Sequence, residues 1–165
     1  MSTAPILMLA LRKSDKKSYE TLSKVLVKGV NDKDALEVAE FLYAAYKNAN
    51  QDEEGTMTFT DFFENMDQDW RKNMEVINEM YSPSKAGFRD GFRRVTRKKA
   101  KGYLRLPRFE IETVEDMYVY YVIMNGISED VFWYSEYNSL LTILEDKYAY
   151  EAWKAYAEEQ MLERG

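Results

Sequence analysis

The chain has no cysteine and no histidine among its 165 residues. The first absence excludes disulfides and thiolate nucleophiles. The second removes the side chain best suited to proton transfer near neutral pH, and the two together remove the usual zinc ligands. No apolar run reaches the roughly 20 residues that a membrane-spanning helix needs. The longest near the start, "APILMLAL", is soon followed by "RKSDKK". It has no basic region before it and no small-residue cleavage site after it, so the sequence reads as soluble and cytoplasmic. No Gly-rich phosphate loop occurs, and the carboxylates, lysines, tyrosines and serines form no recognisable acid/base pair or nucleophile motif. The reading is of a protein that is not an enzyme, with no catalytic residue, no metal site and no cofactor.

What is abundant is aromatic. A hydrophobic content of 45% with 15% aromatic residues argues for a folded chain, long enough for one ordinary domain or two small helical ones. The net charge of -6 conceals an asymmetry. Between Lys85 and Arg108 stand ten basic residues and one acid, Asp90, a net +9 that leaves -15 for the rest of the chain. An acidic body is joined through a basic centre.

Periodicity predicts a mainly α protein. Residues 1–31 are ambiguous: "PILMLAL" and "YETLSKVLVKGV" admit a small N-terminal β-hairpin, the second also a short helix. From Asp32 the pattern is helical, with Ala35, Val38, Ala39, Leu42, Ala45 and Tyr46 sharing a face and Asn31 or Asp32 able to cap it. Trp70, Met74, Ile77 and Tyr81 form a second stripe, which "SPSKAG" ends; Asp67 and Asp69 suit the positive start of that helix. Gly102 and Pro107 mark the boundary between two halves. The second half restarts at Thr113, answered by Asp116 three residues on, with Val114, Met117, Tyr118, Tyr121 and Met124 as a packing stripe that "NG" at 125–126 closes. Ser128 opens another helix, and Tyr137, Leu141, Leu144, Tyr148, Ala152 and Ala155 line one face of a long final one. These boundaries divide the chain into an N-terminal helical domain (1–96), a basic linker (97–111) and a C-terminal helical extension (112–165).

The stretch "NQDEEGTMTFTD" admits two accounts. As a calcium loop it places Asn50, Asp52 and Glu54 at the first, third and fifth positions, Gly55 at the turn and Asp61 at the twelfth. Asn50 brings no charge, however, Glu54 is a carbon too long and Asp61 too short to give two oxygens. The favoured account is a solvated turn before a helix that Thr58 caps, with Asp61 reaching back to the Thr58 backbone.

The order "ALEVAEFLYAAY", an acidic turn, "FTDFFENMD" and "WRKNMEVINEMY" resembles the N-terminal part of the tail assembly chaperones of long-tailed bacteriophages, in which an aromatic-rich helix precedes a Phe-Thr-x-acidic step; the corresponding stretch here is Phe59, Thr60, Asp61, Phe62 and Phe63, with the acid directly after the threonine. "EDMYVYYVIMNGISEDVFWYSEYNSLLTIL" and "EDKYAYEAWKAYAEEQ" are similar to the extension of their long form. The two stretches cover about two thirds of the chain, and both patterns are degenerate. The resemblance implies a non-enzymatic factor of the bacterial host cytoplasm. Its partners would be a long helical tape-measure protein and the tail tube protein, with self-association open and with no membrane or nucleic acid among them. It also implies a junction between short form and extension near Arg97–Lys99, where a ribosomal frameshift often joins the two. By position and type, the residues expected to meet partners are Phe59, Phe62, Phe63 and Trp70 in the first half and Phe132, Trp133, Tyr134 and Trp153 in the second. The competing role for each is burial in the core.

Two other functions fit the composition. The basic segment, with Phe88, Phe92 and Tyr103 interleaved, has the make-up of a phosphate-tracking, base-stacking strip, although pairing with the acidic body is the preferred account. The acidic remainder also suits a small phage-encoded inhibitor that binds a host or defence nuclease in place of nucleic acid, which stands as the main alternative.

Overall fold

The computed structural model describes residues 1–53, 55–83, 89, 91–92 and 111–163. Glu54, Phe88, Gly102, Tyr103, Pro107, the 97–99 junction and nearly all of the basic linker lie outside the described residues. Among the described residues every regular element is helical, as the apolar spacing predicts.

In place of the N-terminal hairpin stand two helices, α1 (Pro5–Ser14) and α2 (Lys16–Lys28). The local chemistry explains the difference. Pro5 occupies the first turn of α1, where its missing N–H costs nothing. Asp15 ends α1 and caps α2, its carboxylate accepting from the Ser18 N–H at 3.1 Å. Tyr19, Leu22, Val25 and Leu26 then fall at helical spacing, and all four are buried. Gly29 closes α2 at φ +84°, where a Cβ would also meet the Tyr81 hydroxyl at 3.0 Å, so both backbone and space favour glycine.

Helix α3 (Ala35–Ala49) is capped by Asp34 rather than by Asn31 or Asp32, through bonds from the Leu36 and Glu37 N–H groups. α4 (Phe59–Asn65) starts at Thr58 and α5 (Trp70–Tyr81) at Asp69, which accepts from Arg71 N–H. α6 (Val114–Tyr118) carries the full reciprocal box between Thr113 and Asp116 and runs into a π-helical turn, Val119–Met124. α7 (Glu129–Tyr134) and α8 (Tyr137–Leu162) complete the order.

Helices α1, α2 and α3 pack together; α4 lies on α3, α6 and α7 on α1, and α5 beside α8. One apolar core therefore draws on both sides of the basic segment, with Met8, Leu22, Phe41 and Ile77 joined by Val114, Tyr121, Phe132 and Leu140. The N-terminal residues lock the parts together. Ser2 N–H donates to Ala45 O at 3.0 Å, while the Ser2 hydroxyl and the Thr3 N–H donate to the Glu136 carboxylate at 2.7 and 2.6 Å. Further in, the Tyr137 hydroxyl donates to Leu26 O at 3.1 Å and the Tyr81 hydroxyl to Val25 O at 3.2 Å, tying α8 and α5 to α2.

Two predicted stripes are corrected. In α8 the buried residues are Leu140, Leu144 and Ala149, whereas Tyr148, Ala152 and Ala155 of the predicted stripe are exposed. In the π-helical turn Tyr121 is buried but Met124 is exposed, and Asn125 just after the turn is buried. A π turn takes up more residues than an α turn, so a stripe projected at 3.6 residues per turn loses phase there.

Candidate protein-binding surface

The eight predicted contact residues divide among three aromatic clusters and one isolated side chain. The first cluster forms where α4 lies on α3. Tyr43 packs against Phe59 and Phe62 with both ring centroids at 5.4 Å, Tyr46 meets Phe62 at 5.4 Å, and Phe63 meets Phe59 at 6.1 Å. Phe62 is buried and Phe59 half-buried, while Phe63 is 49% exposed. The cluster is held by local chemistry: the Thr58 hydroxyl accepts from Asp61 N–H at 3.2 Å, and the Tyr43 hydroxyl donates to Met57 O at 2.9 Å. Asp61 does reach back, but to the Thr58 hydroxyl at 2.6 Å and not to its backbone. The Thr58 cap predicted for this stretch is present.

Beside these rings lies a cleft of about 220 Å³ lined by Asp15, Ser18, Glu40, Tyr43, Lys47 and Phe59 among others. Lys47 Nζ sits 2.6 Å from Asp15 Oδ2 and 5.9 Å from the centre of the Tyr43 ring. Burial pushes the Asp15 carboxyl up, but the Lys47 ammonium and the Ser18 N–H and hydroxyl outweigh it and leave its pKa below the ordinary value.

The second cluster is built from α6, the π turn and α7. Phe132 is fully buried, edge-on to Tyr118 at 5.6 Å and to Trp133 at 4.8 Å, with Tyr121 at 6.2 Å. Trp133 stacks on Tyr118 at 5.6 Å and is half-buried, whereas Tyr134 is 71% exposed. Next to it the Tyr148 hydroxyl donates to Asn125 Oδ1 at 2.8 Å and is 3.3 Å from the Tyr120 hydroxyl. Lys147 Nζ donates to Asn125 O. Burial, then the bond to Tyr148, raises the Tyr120 pKa to about 12; burial also raises Tyr121 and Tyr137. These phenols stay neutral across the physiological range and act as packing and hydrogen-bonding groups.

The third cluster is smaller. Trp153, 37% exposed, lies with its ring 5.5 Å from Phe92 and 6.2 Å from Tyr150. Nearby, Arg89 Nε donates to Asp146 Oδ1 at 2.5 Å. The described part of the basic segment thus pairs with the acidic body. Trp70 joins none of the three clusters and packs, half-buried, against the core.

Sequence reasoning did not single out Val119 and Ile123 and placed Met124 in a packing stripe, yet the three are 39%, 66% and 58% exposed on the π turn. A signal was present. "VYYVIM" is six apolar residues in a row, and one helix face cannot bury all of them.

Among the described residues no helix is long and apolar enough to cross a membrane, and no group of three or more acids is placed to hold a metal ion. No family model, curated protein or solved structure matches the chain.

Proposed function

We propose that this chain is a non-enzymatic assembly factor that covers apolar segments of a larger helical partner, of the kind the tail assembly chaperones of long-tailed phages represent. The observation that carries the reading is the exposure of Phe63, Tyr134 and Trp153, with Phe63 packed against half-buried Phe59, Trp153 against half-buried Phe92, and Tyr134 directly after buried Phe132 and half-buried Trp133 in the chain. Large aromatic side chains left in water on a rigid support are what a protein-binding surface requires. A client helix with an apolar stripe would lay that stripe against them, and the net charge of -6 would keep the complex soluble. The tape-measure protein and the tail tube protein are the partners this reading assigns, and the bacterial host cytoplasm is its place of action.

The test is affinity capture of the tagged chain from its native producing cell, read by mass spectrometry, beside a Phe63→Ala, Tyr134→Ala, Trp153→Ala triple variant. The expected result is a very long helical protein and a tube-like subunit, both lost in the variant. Capture of a nuclease or of nucleic acid without any tail protein would overturn the reading in favour of nuclease inhibition or nucleic-acid binding.

A further inference from the structure

Asp146, Tyr150 and Trp153 stand at i, i+4 and i+7 on α8, so one face of that helix carries a carboxylate followed by two rings. Arg89 and Phe92 are helical and three positions apart, which places them on one side of their own turn. The two sets match: Arg89 Nε reaches Asp146 Oδ1 at 2.5 Å, and the Phe92 ring lies 6.1 Å from Tyr150 and 5.5 Å from Trp153. The fit is nevertheless incomplete. Arg89 is buried, yet its Nη2 has no hydrogen-bond partner. A guanidinium taken out of water with an N–H unpaired is a ligand that a better one can replace.

We propose that Asp146, Tyr150 and Trp153 form a recognition face for a helix bearing an arginine and, three residues on, a phenylalanine, and that the chain's own Arg89 and Phe92 occupy it until a partner helix with the same pair displaces them. The proposal rests on the reading of the chain as a binder of helical partners and adds the side-chain chemistry that one face selects. Asp146 supplies the charge-assisted bond that fixes register, and the two rings supply the apolar contact. Occupation by the chain's own residues lowers the affinity for any partner by the fraction of time the face stands open.

The test uses the full chain labelled with 5-fluorotryptophan, whose three tryptophans give three fluorine signals, that of Trp153 being identified by its loss in Trp153→Phe. Phe92→Ala is expected to shift the Trp153 signal and leave those of Trp70 and Trp133 in place. Asp146→Arg should shift it as well, and the exchanged pair Arg89→Glu with Asp146→Arg should bring it back. A synthetic alanine-based helix with one Arg-x-x-Phe pair is then titrated. It should bind an Arg89→Gln, Phe92→Ala chain about tenfold or more tightly than the unaltered chain, as a face open one time in ten or less requires. A peptide with the arginine replaced by glutamine should bind more weakly. A Trp153 signal unmoved by Phe92→Ala, or equal peptide affinity for both chains, would overturn the proposal. So would a Trp153 signal that depends on protein concentration, which would mean that a second copy supplies the arginine and phenylalanine. None of these readouts involves a tail protein, so a failed capture experiment and a failed titration are separate results.

Discussion

The aromatic runs at 59–63 and 132–134 resemble each other in sequence and in plan, since each has one buried, one half-buried and one exposed ring. They differ in how the buried ring is enclosed. Phe62, 8% exposed, is covered by Tyr43 and Tyr46 from a single helix, α3. Phe132, fully buried, is enclosed by Tyr118, Tyr121 and its own neighbour Trp133, and the segment after it is clamped to the N-terminus by Glu136. Two similar runs thus sit at the edge and near the centre of one core. The depth of a ring follows from the number of elements that converge on it.

The largest expected effect tests that difference directly. Phe132→Ala should cost about 4–5 kcal/mol and Phe62→Ala about 3 kcal/mol, both measured by urea unfolding. Equal losses would mean that the two sites are enclosed alike. Next comes the clamp. Glu136→Ala removes the acceptor of the Ser2 hydroxyl and of the Thr3 N–H and hydroxyl, at 2.7, 2.6 and 2.9 Å, and should cost about 2 kcal/mol by the same assay. The helix starts differ too. Thr58 makes a side-chain cap and Ser128 makes none, so Thr58→Ala should cost about 1 kcal/mol and Ser128→Ala a few tenths at most.

A pH effect belongs to the first region. The folded-state pKa of Asp15 lies below the ordinary 3.8, so its pairing adds stability above that pH and loses it as pH falls through the lower folded value. The melting temperature of Asp15→Asn should therefore lie below that of the unaltered chain at pH 6, and the gap should close as the pH is brought under about 3.8. A similarly small effect on stability, within about 0.5 kcal/mol, is expected for Phe63→Ala and Tyr134→Ala. If the proposed function is right, the same two changes remove partner capture; a large loss of stability would place these rings in the core instead.

Several features were legible from spacing and caps. The stripe Trp70, Met74, Ile77 and Tyr81 packs on the core, Thr113 and Asp116 form their box, and Gly126 closes the π turn at φ +68°. Each depends on residues within about one turn of one another. The N-terminal helices were less legible, because "PILMLAL" is apolar throughout and carries no clear period; the signals that settle it are Pro5 at the helix start and Asp15 between the helices. Of the candidate surface, the aromatic residue types stood out from the sequence, but not their exposure. Nothing near Phe62 or Phe63 in the chain states which of the two faces Tyr43 and Tyr46.

By itself the sequence determined the helical class, the helix starts at Thr58, Thr113 and Ser128 and the acidic body around a basic centre, because these follow from local backbone chemistry and from counting charge. Tertiary structure alone decided that both sides of the basic segment share a core and that Phe132 is sealed while Tyr134 is not. It also decided that Arg89 and Phe92 lie against α8. Those outcomes depend on contacts between residues as far as 134 positions apart, such as Ser2 with Glu136, and the position of each such partner is set only when the helices pack.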